Sequence, residues 1–430
     1  MRIALLDYVK YDIVRLSIIG GVDMSYNIHP KYQPLFQPIT LANGVQLSNR
    51  LSLHPITTNA SSPEGYITSD ETAYASRRSL SAPLQVTTAA YVDDSGQLFE
   101  FGPSIKDDRY IPGLAKLAQA MKQDGAKTII QLTHAGRFSK VTLEKLGHVY
   151  GPSPMHLKSP IEHDVKEMSL EMIQHIIEQY GQATRRAIEA GFDGVEISNA
   201  QRLLPQQFFS PFSNQRTDEY GPQSLENRAR FGVQIMERVQ KVIDHYADDA
   251  FILGFRGTPE ETRGHQIGYT IEEFNQYVDW MMDVSHLSYY AIASWGHDIY
   301  KETVRAGKYQ GQLVNAVIHQ HFSGRLPIIA TGGINHPDKA LEALRHADMV
   351  GMSSVFVTEP DFVTKLREGR QADIDLSLHL DALDQLAIPP RAFKDLVEFM
   401  DYGGSLPEET RDAFRQMAAQ TDTSYFQEFK

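Results

Sequence analysis

The chain has 430 residues, long enough for several small domains or for one α/β barrel with appendages. Its 41 Lys and Arg against 54 Asp and Glu leave a formal net charge of −13, and no basic run exceeds Arg77-Arg78 or Arg185-Arg186, which excludes the usual signatures of nucleic-acid and anionic-membrane partners. The absence of cysteine removes disulfides, zinc thiolates, iron–sulfur clusters and thiol nucleophiles, while 42% hydrophobic residues supply a large core with no stretch near the ~18 apolar residues of a membrane span.

The first apolar patches are broken by Asp7, Lys10, Asp12 and Arg15, and no cleavage site follows them. A signal peptide is therefore not expected, residues 1–23 read as an extension without a chemical role, and the chain reads as cytoplasmic. Short apolar or β-branched runs then recur at 50–54, 84–89, 128–132, 194–198, 251–255, 289–293, 327–331 and 349–353. Segments of helical period lie between them, at 111–124, 170–190, 225–245 and 271–284. Asp124-Gly125 and Ala190-Gly191 read as helix ends that turn the chain into the next strand.

Eight strand–helix units predict an α/β fold of the (β/α)8 TIM-barrel type, a doubly wound open sheet being the alternative by pattern alone. The barrel is expected over 24–370. Residues 371–430, with Ile388-Pro389-Pro390 and an acidic stretch at 401–409, read as a helical C-terminal appendage.

A TIM barrel does its chemistry where the strands end, so the informative residues follow each run. Thr331-Gly332-Gly333-Ile334 is a Gly-rich turn entering a helix, suited to a phosphate through its N–H groups or simply to a tight turn. Arg256 ends a core-type strand, where a guanidinium needs an anion: a ligand, or a neighbouring carboxylate such as Glu260 or Glu261. Gln131 offers a donor and an acceptor, as an imide-like ring edge or a satisfied core amide requires. No metal is expected, because strand ends carry only the single histidines His54 and His134, and His319-x-His321 falls in a helix-like stretch.

Several motifs are more specific. Leu35-Phe36, Pro38-Ile39, Leu41, Asn43, Asn49-Arg50 and Pro55 open the pattern, and QLTHAGR occupies 131–137. EAGFDGVEI at 189–197, QFFSP at 207–211, NQRTDEYG at 214–221, Glu226-Asn227-Arg228 and Arg230-Phe231 complete it. Together they resemble the old yellow enzyme family of flavin oxidoreductases, in its bacterial NADH:flavin oxidoreductase and dienoyl-CoA reductase branch, over about residues 32–370. The resemblance implies non-covalent FMN on the barrel mouth, with NADH or NADPH as electron donor. Hydride would pass through flavin N5 to a small electrophilic acceptor such as an activated alkene or quinone. It also gives the 214–231 stretch a structural part, holding the loop after strand four, and a homo-oligomer is compatible with it.

Carried onto this chain, the resemblance places Pro55, Ile56 and Thr57 along one side of the flavin ring, with Thr57 near the C4 carbonyl and Ala89 beside the ring. Gln131 would take the pyrimidine edge, Arg256 the N1–O2 side, and Gly332 and Gly333 the phosphate, joined by Ser353 and Ser354 after strand eight. Four departures stand out. Ser198 and Gln201 replace a His-x-x-His or His-x-x-Asn pair, Leu203 replaces a proton-donating Tyr, Ser353-Ser354 replaces Gly-Arg, and Leu80-Ser81-Ala82-Pro83 stands where a Gly-Gly pair precedes strand two. Ser198, Gln201 and Thr57 form the candidate catalytic set, able to donate hydrogen bonds but carrying no charge. Tyr66, Tyr91 or solvent would supply any proton. The competing expectation is a flavin-binding barrel that has lost catalysis or been repurposed.

Overall fold

The computed structural model describes residues 27–158, 161–294, 296–393, 396 and 404–420. The extension read at 1–23 and part of the 371–430 appendage lie outside them. Eight parallel strands close on themselves: β1 (Leu51–Leu53), β2 (Leu84–Tyr91), β3 (Lys127–Thr133), β4 (Gly194–Asn199), β5 (Ile252–Gly257), β6 (Tyr289–Ile292), β7 (Ile328–Thr331) and β8 (Met349–Met352). Each pairs with its neighbour in chain order, and β8 closes onto β1 through Val350↔Leu51. The open-sheet alternative is thereby excluded, and the apolar runs that marked strands in the sequence all fall in barrel strands.

Alternation along each strand sends one set of side chains into the barrel. Leu84, Val86, Ile129, Ile252, Tyr289, Ala291, Ile329 and Met349 form a buried cluster there. Leu41, Val45 and Leu47 join it from an antiparallel hairpin (Ile39–Thr40 with Gln46–Leu47), which plugs the N-terminal end. With that end closed, the opposite end carries the residues that follow the strands.

The outer ring contains α1 (Ser69–Arg77), α2 (Ile111–Lys122), α3 (Leu170–Glu189), α4 (Leu225–Tyr246), α5 (Ile271–Val284), α6 (Val314–Phe322) and α7 (Pro337–Leu344). Thr68, Ser169 and Ser224 cap the first turns of α1, α3 and α4 by accepting backbone N–H bonds. Thr270 and Glu273 form a reciprocal capping box on α5. Two long loops carry small sheets of their own: His148–Gly151, Met155–Leu157 and His163–Glu167 after β3, and Glu261–Arg263 with Gln266–Tyr269 after β5. Asn214 Nδ2 donates to the carbonyls of Phe208 (2.7 Å) and Tyr220 (2.6 Å). Arg216 Nη1 donates to those of Pro152 (2.9 Å) and Met168 (2.7 Å), which ties the loop after β4 to the sheet beside it. Among the described residues no helix is long and apolar enough to cross a membrane.

Candidate active site

The strand ends surround one cavity. It is lined by His54 to Thr57 after β1, Ala89 and Tyr91 of β2, Gln131 and Thr133 of β3, and Arg256 of β5. Thr331 to Ile334 at the end of β7 and Gly351 to Ser354 at the end of β8 complete the wall, joined by Gln201 and Leu203 from the loop after β4. Every residue assigned to a cofactor from the sequence lies on this wall: Pro55, Ile56, Thr57, Ala89, Gln131, Arg256, Gly332, Gly333, Ser353 and Ser354. Of the candidate catalytic set, Thr57 and Gln201 line it and Ser198 does not. Ser198 is buried in β4, in register with Arg256, and its hydroxymethyl group reaches less far than an imidazole would.

Buried polar groups form the floor. Glu196 of β4 is fully buried; its Oε1 accepts from Gln131 Nε2 at 2.8 Å and its Oε2 from the Tyr289 hydroxyl at 3.0 Å. Burial raises the pKa of this carboxyl, opposed by the Arg256 charge and the two donors. Arg256 is depressed by its own burial, opposed by Glu196 and Tyr289. Among the described residues no carboxylate oxygen lies within 4.0 Å of its guanidinium. Glu260 instead accepts from the Arg305 backbone N–H at 3.1 Å, and Glu261 pairs with Arg263 at 3.2 Å. The bridge to Glu260 or Glu261 considered from the sequence is therefore absent, because both carboxylates sit on the loop beyond β5. Arg256 Nη1 donates to His54 Nδ1 at 2.9 Å. Burial, then the Arg256 charge, hold His54 well below the usual histidine pKa, so the ring is neutral.

The Gly-rich turn is required by its backbone. Gly332 and Gly333 have φ of +90° and +77°, a region side chains disfavour. A Cβ at Gly332 would fall 2.6 Å from Ile299 Cδ1, and one at Gly333 would fall 2.5 Å from the Asp298 backbone nitrogen. Beside this turn Lys339 of α7 donates to Asp298 Oδ1 (2.8 Å) and to the Gly333 carbonyl (3.2 Å). The residues present fit a flavin mononucleotide: a glycine cradle with a lysine nearby and, among the described residues, a cation not salt-bridged to a carboxylate and, on the His54 ring bonded to it, a buried nitrogen without a partner.

The loop after β4 stores strain where it reaches the cavity wall. Gln201 and Arg202 are consecutive non-glycine residues at φ +55° and +63°. The Gln201 N–H donates to Thr258 Oγ1 (3.2 Å) and the Arg202 N–H to Gln206 Oε1 (2.6 Å), which hold the turn. Of the two tyrosines considered as proton sources, Tyr91 lines the cavity and Tyr66 does not. Tyr66 is 41% exposed and packs on Tyr110. Burial raises the Tyr91 hydroxyl pKa, so it holds its proton across the neutral range. Nothing local in the sequence marks Glu196 or Lys339. Glu196 lies within the 189–197 stretch like any strand residue, and Lys339 is an ordinary helix residue whose nearness to the turn only the fold discloses.

Residues 34–373 match the family described as NADH:flavin oxidoreductase / NADH oxidase. An uncharacterized oxidoreductase of Streptococcus pyogenes is 54% identical over 388 residues, 90% of this chain and 97% of that protein. The Bacillus subtilis protein named probable NADH-dependent flavin oxidoreductase YqiG is 35% identical over 81% of this chain and 91% of its own length. An old yellow enzyme homologue from Zymomonas mobilis shares the fold with a TM-score of 0.65 at 22% identity, over 82% of this chain and 96% of that one.

Proposed function

We propose, from the premise that the chain belongs to the NADH:flavin oxidoreductase / NADH oxidase family and is an NAD(P)H-dependent oxidoreductase of the old yellow enzyme type, that its prosthetic group is non-covalent FMN in the mouth cavity and that its acceptor is a small electrophile, an activated alkene or a quinone. The observation that carries this reading is the convergence of Arg256, Gln131, Thr57 and the Gly332-Gly333 turn on one cavity. FMN, when bound, supplies two-electron transfer between a nicotinamide and the acceptor.

The chain's own residues set the conditions for that transfer. Arg256, held in the barrel floor by His54 and not salt-bridged to a carboxylate among the described residues, would offer its charge to a ligand edge that becomes electron-rich. Gln131 is oriented by its bond to Glu196, so its position at the pyrimidine edge is fixed from behind. The backbone N–H groups of the glycine turn, with the hydroxyls of Ser353 and Ser354, take the phosphate. Thr57, after β1, and Gln201, in the loop after β4, both line the cavity and would donate hydrogen bonds there, Gln201 toward an acceptor carbonyl. Neither is charged, so polarisation of that carbonyl is weaker than an imidazolium would give. Leu203 cannot deliver a proton, and the hydroxyl of Tyr91, whose residue lines the cavity, donates to the Glu64 carbonyl at 3.4 Å. Acceptors that need no positioned acid, such as quinones, suit this arrangement as well as alkenes do.

The test is identification of the flavin released on denaturing protein purified with no flavin added. FMN in near-stoichiometric yield is the expected result. Release of FAD, or protein that carries no flavin and takes up none when FMN is added, would overturn the proposal.

A further inference from the structure

We infer that His54 is a further hydrogen-bond donor of the FMN site, its ring oriented by Arg256 and seated by Gly351 so that Nε2–H serves the edge of the bound group that gains electron density on reduction. This rests on the FMN reading above and extends it to a residue that the family resemblance did not assign.

The tautomer follows from the partner. A guanidinium can only donate, so the 2.9 Å contact from Arg256 Nη1 makes His54 Nδ1 the acceptor and leaves the proton of the neutral ring on Nε2. Nε2 is buried and without a hydrogen-bond partner among the described residues. His54 is only 2% exposed, yet it lines the cavity. A buried donor left without a partner is costly, so a polar ring here calls for a partner that arrives with the ligand.

The ring also has a place made for it. A Cβ on Gly351 would fall 2.3 Å from His54 Cδ2 and 2.7 Å from Nε2, so only glycine at 351 leaves room for the imidazole. An apolar side chain could fill the same volume without a stranded N–H, although Arg256 would then lose its acceptor. The pair supplies two things at once: an acceptor that holds Arg256 without adding negative charge, and a second donor beside it.

The test compares wild type with His54→Met, His54→Gln and Gly351→Ala, each checked for native circular dichroism and reconstituted with FMN. The readout is the equilibrium reduction potential of the bound FMN. Methionine keeps a weak acceptor for Arg256 but has no donor. A hydrogen bond to a charged group is worth about 1.5–3 kcal/mol, so reduced FMN should lose at least about tenfold in affinity relative to oxidised FMN. That equals a potential about 30 mV lower for a two-electron couple. Gln, with both a donor and an acceptor, should recover most of the loss. Gly351→Ala should reproduce the fall by displacing the ring. A His54→Met protein that binds FMN with the wild-type potential would overturn the inference while leaving the FMN reading intact. Wild-type protein that takes up no FMN would overturn both.

Discussion

At the scale of single residues, burial decides more than residue type. Glu71 opens α1 with its carboxyl buried and accepting from Ser61 Oγ at 2.6 Å. Burial, only partly offset by that bond, raises it from an ordinary 4.5 to about 7. A carboxyl whose folded-state pKa is raised favours the native protein while protonated. Its contribution is therefore complete below about 4.5 and is lost as pH climbs through about 7. Glu71→Gln should accordingly leave stability almost unchanged at pH 4.5 and raise it above pH 7 by up to about 3 kcal/mol, measured by urea unfolding at both pH values. Lys339 makes a second case: removing it leaves Asp298 unneutralised beside the glycine turn. Lys339→Ala should weaken FMN binding about fivefold in low salt and less in high salt, read by quenching of free-flavin fluorescence. Arg256, Gln131 and the glycine pair could be singled out from sequence because a strand-end position in a barrel restricts what such residues can be doing. The partner of Arg256 could not, since His54 lies 202 residues away and only barrel closure brings it near.

Elements show the same division between local and distant information. The eight barrel strands were legible because each is a short apolar run bounded by polar or glycine residues, and the long helices because their period and caps are local. The sheets within the loops after β3 and β5 were not read. Their strands are short and half exposed, as in His163–Glu167, and have no continuous apolar face. Packing between α4 and α5 likewise depends on a contact that sequence does not disclose. A Cβ on Gly232 of α4 would meet the buried Tyr277 hydroxyl of α5, whose ring stacks on Phe209 at 4.4 Å. Replacing glycine by alanine inside an exposed helix ordinarily stabilises by about 1 kcal/mol. Gly232→Ala should instead destabilise by about 1–3 kcal/mol, seen as a lower urea midpoint with an unchanged m-value.

At the scale of the whole molecule, the two ends of the barrel are treated differently. The Ile39–Leu47 hairpin fills one end with leucine and valine, whereas the other stays open around polar groups. Segments beyond the family match bear on that open end. Leu378, Leu386, Ile388, Phe393, Leu406 and Phe414 pack with Val357, and Ile56 lies against them. Ser405 is part of the cavity wall, with its carbonyl held by Asn335 Nδ2 at 2.8 Å. Buried Arg78 joins the same regions, donating to the carbonyls of Phe356, Val357 and Leu386. The sequence showed a helical, proline-containing tail but not where it lies, because its docking surface is assembled from residues far away in the chain. All of these features converge on an open end that would hold a flavin reducible by nicotinamide. Anaerobic addition of NADH or NADPH to the FMN-reconstituted protein, followed by visible absorbance, tests it directly. The flavin bands should bleach with at least one of the two donors at a rate that saturates with donor concentration. Bands that persist under both donors, in protein shown to retain FMN, would contradict it.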